Sequence, residues 1–70
     1  MTPLLVELSP REEQVLTLIG DGLGLREIAE RLEISRWTVK AHRDNGRRKL
    51  GAISTAHAVA IVTRLRSAVA

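Results

Sequence analysis

Apolar side chains recur along this chain at helical spacing. Val15, Leu16, Leu18 and Ile19 follow Ser9, Pro10 and Glu12, which supply an N-cap, a proline at the first helical position and a glutamate three residues past the cap. A helix is predicted over residues 10–20, ended by the backbone freedom of Gly20 and Gly22. Leu25, Ile28, Ala29 and Leu32 fit the i, i+3, i+4, i+7 pattern, with Arg26, Glu27, Glu30 and Arg31 outside it, and predict a second helix over 25–32. Ser35 is a cap for a third, basic helix over 36–50 that stops at Gly51. Ser54 caps a fourth over 55–68, whose Val59, Ile61, Val62, Leu65 and Val69 spread around more than one face. No strand-like alternation, repeat or low-complexity segment interrupts the pattern, so the expected fold is an all-α, four-helix domain.

Two short helices about three residues apart, the second basic and serine-capped, satisfy the requirements of a helix-turn-helix, and a plain helical bundle satisfies them too. Seventy residues with 44% apolar and 27% charged side chains make one domain, 1–70. Such a chain buries only roughly 60% of its unfolded surface, so a partner surface would help it. The absence of cysteine excludes disulfides and thiolate metal sites, and two histidines without clustered carboxylates make a poor metal site; no metal or cofactor is expected. No apolar run is long enough to cross a bilayer, and no export signal is visible, so the expected setting is the cytoplasm. Nor is there a phosphate-cradling glycine loop or an acid, base and nucleophile set, so an enzyme is not expected.

Charge is unevenly placed. Residues 1–34 hold three arginines against seven acids, a net of −4, whereas residues 35–49 hold six cations against Asp44 alone, a net of +5, within an overall +3. A polyanion near the third helix is favoured through counterion release; a solvated face is the plain alternative.

Leu8-Ser9-Pro10-Arg11-Glu12, Val15-Leu16, Gly22-Leu23, Glu27 through Leu32, Ile34-Ser35, Thr38-Val39-Lys40, His42, Lys49-Leu50-Gly51, Ser54 and Ala58-Val59-Ala60 resemble the DNA-binding domain of LuxR-type (GerE-like) bacterial regulators. The resemblance spans about residues 8–66. It implies a bacterial transcription regulator, nucleoid-associated, whose third helix reads double-stranded DNA in the major groove and whose fourth forms a homodimer. The expectation is a free-standing member with no receiver or ligand-sensing domain upstream, Met1 favouring an intact start. Region 4 of sigma factors is a relative: Leu25, where LuxR-type proteins usually carry asparagine, and Gly46 through Leu50 look as much like sigma. Gly51 through Val59 favours the LuxR-type reading.

Departures bear on mechanism. Inward positions of the third helix are expected at Val39, Arg43, Gly46 and Leu50. Family members usually carry an aliphatic residue at Arg43 and small or apolar residues at Gly46 and Arg47. A mid-helix glycine costs about 1 kcal/mol, and an inward arginine must snorkel or find a carboxylate. Either helices approach closely at Gly46, or the helix is loosely held until it binds something.

The candidate DNA-binding residues are Arg36, Trp37, Thr38, Lys40, Ala41, His42, Asp44, Asn45, Arg47 and Arg48. Lys40 falls where the family contacts bases or phosphates. Arg36 and Thr38 stand at a helix N-terminus able to meet phosphate, with closure of the cap as the equal alternative for Thr38. Arg43, Arg47 and Arg48 are placed to follow the phosphate backbone. Asp44 stands where relatives often carry a basic base-reading residue; an acid there either accepts from cytosine N4 or repels phosphate. Asn45 offers a hydrogen bond to base or phosphate, and His42 one within the domain or to phosphate. Trp37, the only aromatic residue, is expected to cover the edge of the local core, against contact with a thymine methyl, a sugar or a protein. His57 is expected at the surface. For the dimer contact the candidates are Ala58, Val59, Ile61, Val62 and Leu65, since a domain of this size buries only one stripe of the fourth helix. Two alternatives remain: a protein-interaction module on the same fold, with RNA polymerase or another regulator as partner, and a monomeric sigma-like promoter reader.

Overall fold

The computed structural model describes residues 8–69, which form α1 (Pro10–Gly20), α2 (Leu25–Leu32), α3 (Arg36–Lys49) and α4 (Thr55–Val69) and no strand. Bounds agree with the sequence expectation to within one residue: α3 yields Leu50 to the following turn, and α4 runs on to Val69. The side chain of Val69, expected to join the apolar set of α4, lies outside the described side chains.

Local sequence explains both ends of the elements. The Ser9 hydroxyl accepts from the Glu12 N–H at 3.1 Å while a Glu12 oxygen accepts from the Ser9 N–H at 2.9 Å, closing the capping box. Ser35 accepts from the Thr38 N–H at 3.0 Å, and Ser54 from the His57 N–H at 3.1 Å. Exposed His57 adds a second cap, its Nδ1 accepting from the Ile53 N–H at 3.1 Å.

The first three helices stop on the same device. In each, the N–H five residues on returns to the helix carbonyl, from Leu23 to Leu18, Ile34 to Ala29 and Ala52 to Arg47, each at 3.1 Å. The residue before each donor turns left-handed: Gly22 at φ +95°, Glu33 at +57° and Gly51 at +65°. Glutamate tolerates that conformation at a cost of about 1–2 kcal/mol that glycine avoids. It persists at Glu33 because Ile34 then packs onto the buried cluster that contains Ala29.

Adjacent residues of α1 serve two cores. Val15 packs with Ile28, Ala29 and Val39, joining α1, α2 and α3, with Leu18, Ile19, Leu23, Leu25, Leu32 and Ile34 around them. Leu16 packs with Ala52, Ala58 and Val62, joining α1 to α4 and the loop before it, with Leu8, Leu50, Val59 and Ile61 alongside. Val15, Leu16, Ile28 and Val39 are fully buried, and each contributes on the order of 1.5–3 kcal/mol by leaving water.

Gly46 lies where α3 crosses α1. A Cβ there would stand 3.0 Å from Leu16 Cδ1 and 3.6 Å from Glu12 Cβ, so close approach of helices accounts for the glycine. Glu12, only 5% exposed, carries the remaining link: its Oε1 accepts from Lys49 Nζ at 2.8 Å as well as from Ser9. Burial pushes the Glu12 carboxyl up, but the Lys49 and Ser9 hydrogen bonds and the Lys49 charge outweigh it and hold the group below its ordinary 4.5.

Two outcomes follow for stability. Gly46→Ala should fail to deliver the roughly 1 kcal/mol that alanine normally adds to a helix, and Gly46→Leu should cost about 1–3 kcal/mol, read from denaturant midpoints. Because the Glu12 carboxyl titrates lower when folded, its stabilisation is fully present above pH 4.5 and is lost as pH falls through the depressed value. Unfolding free energy measured between about pH 7 and pH 3 should therefore fall less steeply on acidification in Glu12→Gln than in the parent.

Candidate nucleic-acid interface

α3 presents one face to the core and the opposite face to solvent. Val39 and Gly46 are buried and Leu50 is half-buried behind them, whereas Arg36, Trp37, Thr38, Lys40, Ala41, Asn45 and Arg48 are exposed. Trp37, Ala41, Asp44 and Arg48 succeed one another at spacings of four, three and four, forming a stripe opposite the buried one. Seven of the ten candidate residues are thus at the surface; His42, Asp44 and Arg47 are half-buried.

Trp37 does not cover the core edge as expected: it is 81% exposed. Its position on the outward stripe turns the indole away from Val39, and the local core is already filled by aliphatic groups. Lys40 Nζ lies 6.0 Å from the centre of the indole ring, a cation–π contact worth about 0.5–1 kcal/mol at an exposed site. The pair places an apolar plate and a cation side by side on the first turns of α3.

The cations of α3 divide into free and engaged groups. Arg47 Nη1 donates to the Ala52 carbonyl at 3.2 Å, tying the side chain to the loop into α4. Lys49 is bound to Glu12. Arg48 Nη2 donates to Asn45 Oδ1 at 2.6 Å, which also occupies the Asn45 acceptor. Arg43, expected on the inner face, finds a carboxylate: its Nε donates to Asp44 Oδ1 at 3.0 Å. The Thr38 hydroxyl lies 2.9 Å from Ser35 Oγ, within the cap. Arg36 and Lys40, near the positive end of the α3 dipole, make no ion pair among the described residues, whereas Arg47, Arg48 and Lys49 at the other end complement the dipole. Arg47 and Arg48 keep their charge because the oxygens they bond are neutral, so ion pairing among the described residues neutralises only Arg43 and Lys49.

On α4, Ala58 and Val62 are 0% and 3% exposed and belong to the core of their own domain. That removes them from the expected dimer contact, because side chains already enclosed by α1 offer no surface to a second copy. Val59 and Ile61 are half-buried at the rim of that core, and Leu65 is half-buried one turn beyond Ile61. The residue that sequence reading misses is Glu12. Its capping pattern is legible, but its bond to Lys49, 37 residues away, depends on the α1–α3 crossing.

Comparison with known proteins places this geometry. Residues 6–62 match the bacterial regulatory proteins of the luxR family. The chain belongs to the luxR family. Its luxR-family match runs through α1, α2, α3 and half of α4, including the segment after Gly51. Relatives include transcriptional activator protein CarR of Pectobacterium carotovorum, 46% identical over 52 residues, which cover 74% of this chain and 21% of that protein. Transcriptional activator protein BjaR1 of Bradyrhizobium diazoefficiens is 40% identical over 57 residues, 81% of this chain and 24% of its own. Oxygen regulatory protein NreC of Staphylococcus aureus is 50% identical over 44 residues, 63% of this chain and 20% of its own. The luxR-family chain thus spans about a fifth to a quarter of the length of these curated relatives.

The division of α3 side chains yields a contrast. Trp37→Ala should leave the unfolding free energy within about 0.5 kcal/mol of the parent, as for a surface change, while Arg47→Ala should lower it by roughly 1 kcal/mol through the loop, both read by far-UV circular dichroism.

Proposed function

We propose that this domain binds double-stranded DNA in the bacterial cytoplasm and regulates transcription, with α3 in the major groove from Arg36 to Arg48. The observation that carries the reading is the exposed face of α3. It holds Arg36, Trp37, Lys40 and Ala41 outward on a serine-capped helix whose other face is pinned to α1 at Gly46. Arg36 and Lys40 neutralise phosphate, and the backbone N–H groups at the start of the helix, ahead of Thr38, donate to it. Ala41, Asp44, Asn45 and Arg48 face base edges, and His42 lies on the flank next to a strand backbone. Family membership and the names of the relatives CarR and BjaR1 support the regulatory part of the reading.

Dimerisation belongs to the same proposal. Val59 and Ile61 at the rim of the α4 core, with half-buried Leu65, are the side chains through which a second copy would bury apolar surface, and two-fold symmetry would space half-sites about 10 bp apart. A second reading, docking of a protein such as RNA polymerase or another regulator, is favoured by one observation: a tryptophan left 81% exposed.

Selection of the purified protein on randomised duplexes at about 50 and 200 mM salt tests the proposal. Enrichment of a two-fold symmetric motif, with binding that weakens steeply with salt, is expected. Lys40→Ala should lower affinity across the selected duplexes and reduce the salt slope by about 1. Unselective binding that Lys40→Ala leaves intact would instead direct the search to a protein partner at Trp37.

A further inference from the structure

The carboxylate of Asp44 sits in the middle of the outward stripe of α3, between Ala41 and Arg48. An acid on a helix ordinarily pairs with a cation four residues away, and Asp44 has one on each side, Lys40 and Arg48. It pairs with neither. Lys40 Nζ lies over the Trp37 ring, and Arg48 Nη2 is bonded to Asn45. The partner is the preceding residue: Arg43 reaches round from the core-side flank and donates from Nε to Asp44 Oδ1 at 3.0 Å, the two side chains being 22% and 32% exposed. Neighbouring positions on a helix do not normally face each other. The arrangement fixes one carboxylate oxygen, offsets the negative charge that would oppose a DNA phosphate, and leaves Oδ2 without a hydrogen bond among the described residues.

From this geometry we infer that Asp44 is a specificity-determining residue that selects a cytosine in each half-site by accepting from its N4 amine, with Arg43 as its positioning residue. The inference rests on the reading of α3 as the helix in the major groove. An ionised carboxylate only accepts, and the major groove presents two base donors, cytosine N4 and adenine N6. Adenine sets the N7 acceptor beside N6, which repels a carboxylate; cytosine carries no such neighbour on that edge. Arg43 supplies the compensation that lets an acid approach the duplex at all.

The test is duplex selection with the full chain and with Asp44→Ala and Asp44→Asn, after far-UV spectra establish that both variants fold. The parent should prefer cytosine at one position of each half-site by roughly 5- to 150-fold over other bases, the range expected of a good base contact. Asp44→Ala should lose that preference while retaining the rest of the motif. Asp44→Asn should move it to adenine, because an amide offers the donor and acceptor that N7 and N6 require. If both variants return the parental motif with tighter binding to every duplex, Asp44 only repels phosphate and the inference falls while the DNA-reading proposal stands. Failure of the parent to enrich any motif would overturn both.

Discussion

Where α1 crosses α3 the helices come so close that a Cβ at residue 46 would press on Leu16 at 3.0 Å, and the direction in which the basic helix points follows from that contact. Leu16 fills the space that a Cβ on Gly46 would take, and Glu12, one turn earlier, reaches Lys49 from the same side. The helix gives up about 1 kcal/mol of intrinsic propensity for the glycine. In return α3 lies against the one element that touches both cores, so its rotation about its own axis is set by rigid packing. Which residues face outward is decided at Gly46 and Val39.

The same contact sorts the charges. A run with net charge +5 reads as one basic patch, yet folding sends Lys49 to a buried carboxylate, Arg47 to a loop carbonyl and Arg43 to Asp44. The cations consumed internally cluster toward the C-terminal end, where the helix dipole also favours them. Arg36 and Lys40, beside Trp37 at the other end, make no ion pair among the described residues, and Arg47 and Arg48 bond only neutral oxygens. Folding thereby neutralises two of the six cations of the run and fixes two more in place without removing their charge.

Much of this was legible in the sequence. Serine caps, a proline at the first turn and glycines after the last fix three helix starts and two stops through local backbone chemistry, and such signals survive without tertiary context. The third stop, at Glu33, carries no glycine and is set by the packing of Ile34. The candidate face of α3 follows from period alone, because Trp37, Ala41, Asp44 and Arg48 form the complement of the buried stripe. Partners were less legible. That Gly46 marks close approach, that Arg43 turns to its neighbour and that Ala58 and Val62 are spent on the domain's own core all depend on helix crossing geometry, which periodicity does not encode. Trp37 departed from expectation because a lone aromatic is read as core, whereas both cores here are complete with aliphatic side chains.

That last fact reaches into spectroscopy. The chain holds one tryptophan and neither tyrosine nor phenylalanine, and the tryptophan stands in solvent on the outward face of α3. Absorbance and emission in the aromatic range therefore originate wholly outside the folded interior. Loss of the tertiary structure is nearly silent in that range, while any molecule settling on α3 alters it directly: the domain carries an optical label for occupancy and none for folding.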